Sequence, residues 1–415
     1  MASLKAVEIM DDLLGALERL TDRLEKLERR VSALERPSET EDPLPVAAAE
    51  SAAAVPVAET DNLPEAGGVF PVVGKAMLGI AGAYLLRAVA ESGSFPKLAV
   101  VALALAYASM WLVWASRVPA EARFASIAYA ATSALILAPM LWELTLVFKV
   151  LSAFATAGIL VAFVVAASGL AWKRNLVSIV WVANGTAVLT AVALLIATRD
   201  LVPFLCALLC MALISEVAAS RSHWLSMRPL VAVAADLAIC VLIYVYSRPE
   251  SERIEYRSVE PAVLLTLGSV LFVIYGASIA FRTIRLHQRI AIFEVGQTAI
   301  AFLLAAFSVY SFSSRLTTLG AVCLLFSAAC YTAAFACFDR FAEPRNYHVY
   351  ATWGVALALA GGFLCLPPLT LTLGLSVAAI VATFLGVRSA RLTLEFHGLL
   401  YLAAAAFVSG LLDYA

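Results

Sequence analysis

Long hydrophobic runs alternate with short polar turns from Phe70 to Leu412. Each run has about the 20 residues that an α-helix needs to cross a bilayer. The runs occupy residues 71–90, 98–116, 124–142, 150–171, 177–197, 201–220, 229–247, 261–281, 291–311, 317–338, 347–366, 369–387 and 394–412. The pattern predicts an all-α, polytopic membrane protein over residues 70–415, with about 13 transmembrane helices arranged as hairpins.

Composition strengthens the membrane assignment. The chain of 415 residues is 62% hydrophobic and only 14% charged, whereas soluble domains average about 25% charged residues. We therefore expect the lipid bilayer to be its main partner. The net charge of −1 and the lack of a basic stripe with interleaved aromatics give no reason to expect a nucleic-acid partner.

The basic residues predict the orientation of the spans. Turns after even-numbered runs contain thirteen Lys or Arg residues, against eight in the turns after odd-numbered runs. Because basic turns remain in the cytoplasm, we expect a cytoplasmic amino terminus. An odd number of spans then places the carboxyl terminus on the periplasmic or extracellular side.

A heptad pattern over residues 1–36 predicts a cytoplasmic coiled coil. Its hydrophobic seam alternates by three and four residues and comprises Met10, Leu13, Leu17, Leu20, Leu24, Leu27, Val31 and Leu34. Windows beginning at Arg23 and Arg30 resemble a motif of three-stranded coiled coils. We hypothesise a homo-oligomer, with a trimer as the form that this motif favours. The alternative is a lone amphipathic helix that lies on the membrane or on the cytosolic face of the protein itself. A helix on the membrane usually needs a more basic polar face.

The composition changes over residues 37–69, where prolines and alanines mix with acids and no Lys or Arg occurs. A segment of this kind buries too little apolar surface to offset its ordering entropy. We expect a disordered linker between the coiled coil and the membrane domain.

Five polar residues within the runs are candidates for a buried polar layer: Asp236, Glu216, Glu294, Asn184 and Gln297. Ionisable groups inside a bilayer are costly and commonly mark a transport pathway. Such a layer is suited to binding a proton, a cation or a hydroxylated head group. The alternative is that each acid pairs with a neighbouring arginine or tyrosine and joins helices together.

No motif predicts a catalytic residue, a cofactor or a metal site. The seven cysteines have no Cys-x-x-Cys spacing, and the four histidines have no ligand spacing. The nearest enzyme-like grouping is Asp339 with Glu343 and His348. Three classes of function remain: an envelope scaffold, a transporter or channel using the Asp236 layer, and a membrane transferase acting on lipid-linked substrates. Any small-molecule substrate is unidentified.

The order of parts resembles a known family. A heptad coiled coil and an acidic tether precede the segment from Gly74 to Arg87, which opens the array of spans. This layout resembles a bacterial family of multi-pass membrane proteins of unknown function that have an amino-terminal coiled coil. The resemblance implies the bacterial inner membrane and carries over no catalytic residue.

Overall fold

The computed structural model describes residues 66–92, 96–119, 122–172, 174–313, 316–338 and 344–411. The predicted coiled coil over residues 1–36, with its seam, and nearly all of the predicted linker lie outside the described residues.

This part of the chain folds into thirteen α-helices and contains no strand. The helices are α1 (Ala66–Ser92), α2 (Lys97–Arg117), α3 (Arg123–Trp142), α4 (Ala153–Trp172), α5 (Val177–Thr198), α6 (Leu201–Ser220), α7 (Arg228–Tyr246), α8 (Pro261–Ala280), α9 (Ile292–Phe312), α10 (Leu316–Ala333), α11 (Pro344–Cys365), α12 (Pro368–Ser389) and α13 (Leu392–Val408). The predicted all-α fold is therefore confirmed.

The first helix begins earlier than the sequence pattern indicates. α1 starts at Ala66, so the last residues of the predicted linker, 66–69, are helical. Pro64 precedes the helix, and neither a proline nor a charged residue interrupts the chain between Ala66 and Val69. The helix nevertheless includes Gly67 and Gly68, which are poor helix formers, so local propensity alone does not predict this extension.

Twelve of the thirteen described helices are long and apolar enough to cross a membrane. The remaining helix, α13, has 17 residues and is about 25 Å long at 1.5 Å per residue. Large apolar side chains cover the outside of the bundle, as Leu189 and Ile380 do at 72% and 70% exposure. An apolar exterior on helices of this length belongs in lipid, so the chain is a multi-pass membrane protein.

Consecutive helices form the closest packed pairs: α2 with α3, α8 with α9, α10 with α11, and α12 with α13. One hydrophobic core runs through α2–α9 and includes Phe204, Leu208 and Ile239. A smaller core joins α11, α12 and α13 around Leu371 and Tyr401. The hairpin arrangement expected from the short turns is present in these pairs.

Three helices continue directly into one π-helical turn: α3 into Glu143–Val147, α8 into Phe281–Arg285, and α10 into Ala334–Phe338. A π turn rotates the following side chains relative to a regular helix and often occurs at functional positions. The turn after α8 carries Arg282, whose side chain is buried.

Candidate functional site: a buried ionic network

Four consecutive helices, α6 to α9, bring charged side chains together inside the bundle. Arg228 is the first residue of α7 and is only 5% exposed. Its Nε and Nη2 donate to Oε1 and Oε2 of Glu216 on α6, at 2.8 and 2.7 Å. Its Nη1 donates to Oε1 of Glu294 on α9, at 2.9 Å. One guanidinium group therefore links three helices.

A second arginine completes the network. Arg282, in the π turn after α8, forms an ion pair with Glu294, and its Nε donates to Oε1 of Gln288 at 2.8 Å. Ser278 on α8 donates its hydroxyl to Oε2 of Glu216 at 2.5 Å. The contacts of Arg282 and Ser278 add α8 to the three helices that Arg228 joins.

Glu294 also stabilises the start of its own helix. Its Oε2 accepts the backbone N–H of Ala291 at 2.9 Å. That N–H precedes the first turn of α9, where helix donors have no partner within the helix. The position of the carboxylate is therefore determined by local capping as well as by the two arginines.

The network balances its own charge, with two carboxylates facing two guanidinium groups. All four side chains are buried, and the phenyl ring of Phe293 lies 5.1 Å from the guanidinium carbon of Arg228. A buried charge persists only when it is paired and its hydrogen bonds are satisfied. The arrangement is therefore suited to holding α6–α9 in one register.

A second polar pair joins the same α7 and α9. Nε2 of Gln297 lies 2.8 Å from Oδ1 and 3.0 Å from Oδ2 of Asp236. Both side chains are buried. No Lys, Arg or His forms an ion pair with Asp236 among the described residues. Asp236 thus differs from Glu216 and Glu294, since its buried carboxyl has an uncharged partner.

The five candidate residues divide into three groups. Glu216 and Glu294 share the ionic network, and Asp236 pairs with Gln297. Asn184 is buried on α5 and donates to the carbonyl oxygen of Val180 in its own helix, at 3.0 Å. No described hydrogen bond connects Asn184 with the other four.

Sequence reasoning missed the arginines of this site. Arg228 and Arg282 counted only as basic residues of cytoplasmic turns, because each stands at the end of a hydrophobic run. The useful signal was that each arginine lies in a turn next to which a run carries an acid, Glu216 before Arg228 and Glu294 after Arg282. A long arginine side chain can reach inward from a helix end.

The histidines take separate positions in the described chain. His397 is buried, and its Nδ1 lies 3.2 Å from the hydroxyl of Tyr331, which also contacts the hydroxyl of Tyr401 at 2.8 Å. His223 stacks on Trp172 with ring centres 4.8 Å apart. No group of three His, Cys, Asp or Glu side chains suited to a metal ion occurs among the described residues.

The enzyme-like grouping is only partly visible. Asp339 and Glu343 lie outside the described residues. His348 contacts the hydroxyl of Thr393 through Nδ1 at 2.8 Å. This contact joins α11 to α13 and uses one of the two ring nitrogens of His348.

Comparisons of the chain with protein-family models, curated proteins and solved structures found no match.

Proposed function

We propose that the protein is a scaffold of the bacterial inner membrane, whose helical bundle anchors a self-associating cytoplasmic coiled coil. The main observation that supports this proposal is the ionic network of Arg228 and Arg282 with Glu216 and Glu294, which has no net charge. Each buried carboxylate in it forms an ion pair with an arginine from another segment of the bundle. Such pairing supports a rigid structural core and gives less support to a pathway for ion transport.

The coiled coil supplies the assembly function in this proposal. Its leucine-rich seam fits the heptad template. The acidic Pro/Ala-rich linker allows the coiled coil to lie at a distance from the membrane surface. The excess of basic residues in alternate turns supports a cytoplasmic location for it.

The test is the oligomeric state of the full-length protein in mild detergent, measured by light scattering. Leu20→Asn/Leu27→Asn places two amides at the core d positions and should convert the oligomer to a monomer, since buried amides there disrupt packing. Arg19→Asn/Lys26→Asn is the matched control, because it introduces the same residues one position earlier, off the seam. A monomeric wild-type protein would refute the scaffold proposal.

A second candidate function is transport coupled to a proton or cation at Asp236. The supporting observation is its buried carboxyl, which faces an amide instead of a cation. An intramembrane acid without a counter-charge is a candidate for reversible occupancy by a cation.

The test of this second function is labelling of the protein in lipid with a hydrophobic carbodiimide across a range of pH, followed by peptide mass spectrometry. The reagent modifies a protonated carboxyl that it can reach from the bilayer. Transport predicts modification of Asp236 that decreases with rising pH, while the arginine-paired Glu216 stays unmodified. An Asp236 that resists labelling at every pH would exclude this function.

A further inference from the structure

An open cavity of about 580 Å³ lies between α1, α2 and α3, away from the ionic network. Aromatic side chains form much of its wall: Tyr107, Trp111 and Trp114 of α2 and Tyr129 of α3. The rings pack on each other, with Trp111 centred 5.2 Å from Trp114 and 5.6 Å from Tyr129. The cavity therefore has a wall of aromatic rings that pack on each other between three helices.

Two cations line the same cavity. Lys75 comes from α1 and Arg117 from the last turn of α2. Both are exposed, and neither forms an ion pair with a carboxylate in the described part of the chain. No Asp or Glu is among the residues that line the cavity. The charge of the site is positive and favours an anion.

The indole of Trp111 provides a third, independent indication of a ligand. Its side chain is 4% exposed, and its Nε1 has no hydrogen-bond partner among the described residues. An indole nitrogen can only donate, and a buried donor without an acceptor is rare in folded proteins. Trp111 thus offers an unused donor in the wall of a cavity that two cations also line.

The Trp111 indole packs against the backbone of α1 at Gly79, where a side chain would not fit. A Cβ atom at Gly79 of α1 would lie only 2.5 Å from the Trp111 ring. Across the same contact, the Tyr107 hydroxyl donates to the carbonyl oxygen of Gly79 at 3.0 Å. Tyr107 already has an acceptor, while the N–H of Trp111 does not.

Apolar side chains continue from the cavity to the outside of the bundle. Leu78, Met110 and Trp114 line it and are exposed on the lipid-facing surface. Tryptophan and tyrosine concentrate where membrane meets water. A ligand with a charged head and a hydrocarbon tail would match both parts of this surface.

We propose that the cavity binds an anionic phospholipid, with its phosphate on Lys75, Arg117 and the N–H of Trp111, and an acyl chain along Leu78 and Met110. An aromatic lining also suits a quaternary ammonium group. Lys75 and Arg117 would repel that cation, so an anionic head group fits better than a zwitterionic one.

The test uses tryptophan fluorescence of the full-length protein in phosphatidylcholine vesicles. A minor share of the lipid is brominated on its chains and carries either a phosphatidylglycerol or a phosphatidylcholine head group. Bromine quenches nearby tryptophans, so the wild type should be quenched more by the brominated phosphatidylglycerol. Trp111→Phe/Trp114→Phe should remove this extra quenching and so locate the signal at the cavity.

Lys75→Gln/Arg117→Gln should weaken the preference for phosphatidylglycerol about 30-fold, since each basic residue near a charged lipid surface contributes about 1 kcal/mol. Arg285→Gln/Arg388→Gln is the matched control. It removes the same charge from exposed positions on the π turn that continues α8 and on α12. α8 packs mainly against α6, α7 and α9, and α12 packs mainly against α13, so both positions are away from the cavity. This control should keep the extra quenching.

Equal quenching of the wild type by the two brominated lipids would overturn the proposal. So would extra quenching that survives Lys75→Gln/Arg117→Gln. Inorganic phosphate is added in parallel with chloride at equal ionic strength. Phosphate should reduce the extra quenching more than chloride does, because free phosphate competes with the lipid phosphate for Lys75 and Arg117. An equal effect of the two salts would contradict a phosphate contact and leave only general charge screening.

Discussion

Arg228 and Glu216 form a two-point ion pair inside the bundle, with Nε 2.8 Å from Oε1 and Nη2 2.7 Å from Oε2. The parallel geometry matches a planar guanidinium group to a carboxylate. Only seven residues separate α6 from α7, so the pair also closes the turn between them. Arg228 also donates to Glu294, so the same side chain connects this turn to α9.

Arg228→Met should lower stability by about 3–5 kcal/mol, because it leaves two buried carboxylates with one arginine. Thermal unfolding in detergent measures the loss. Arg221→Met, at an exposed position in the α6–α7 turn, should have little effect. An equally small effect of Arg228→Met would show that the network does not stabilise the bundle.

Removing both partners should cost less than removing one. Arg228→Met/Glu216→Met leaves Arg282 paired with Glu294, so the remaining buried charges balance. Replacement of a whole buried pair by apolar groups is often close to neutral. We expect the double variant to recover most of the stability lost in Arg228→Met, and additive losses would contradict the coupling.

The Asp236–Gln297 pair predicts opposite effects for two substitutions. Asp236→Asn replaces a buried carboxyl that has no cationic partner with a neutral side chain able to hydrogen bond, so thermal stability should be equal or higher. Gln297→Leu removes the donor from a buried carboxyl and should cost about 1–3 kcal/mol. A marked loss of stability in Asp236→Asn would indicate a structural need for the charge.

Close contact between α10 and α11 depends on glycine. A Cβ atom on Gly361 would lie 2.7 Å from the carbonyl oxygen of Gly320, which is rigid backbone. Gly361→Ala should therefore separate the helices and lower the unfolding temperature, as expected where small residues allow close approach.

Gly374→Ala on α12 is the control for that prediction. Nothing lies within 4 Å of its added Cβ, and alanine favours a helix over glycine by about 1 kcal/mol. Stability should be unchanged or raised. If Gly361→Ala behaved like Gly374→Ala, the close contact would not be important for packing.

The hydrophobic pattern predicted the helices better than their partners. Runs of membrane length identified thirteen helical segments because each helix satisfies its own backbone in lipid. The pattern contained no information on which side chains face each other, since Glu216 and Glu294 come from two different runs and Arg228 from a turn. The pattern also did not predict the π turn that carries Arg282, because a drop in hydropathy after residue 281 does not distinguish a π turn from an ordinary polar turn.

Asn346 shows most clearly what such a pattern misses. It lies in the first turn of α11 and is 1% exposed. Its Oδ1 accepts the backbone N–H of Ile290 at 3.0 Å, and its Nδ2 donates to the backbone carbonyl oxygen of Gln288 at 3.0 Å. One amide thus satisfies two backbone groups of the turn between α8 and α9, and joins that turn to α11.

Asn346→Ala should lower stability by about 2–6 kcal/mol, since two backbone groups lose their partner and each costs about 1–3 kcal/mol when buried and unsatisfied. Thr352→Ala is a suitable control on the same helix, because its exposed hydroxyl only donates to the carbonyl oxygen of His348 one turn earlier. Hydrogen exchange at the amide of Ile290 gives a local readout. Faster exchange there in Asn346→Ala, with unchanged exchange in Thr352→Ala, would assign the anchoring of the α8–α9 turn to this side chain, whereas unchanged protection in both would reject it.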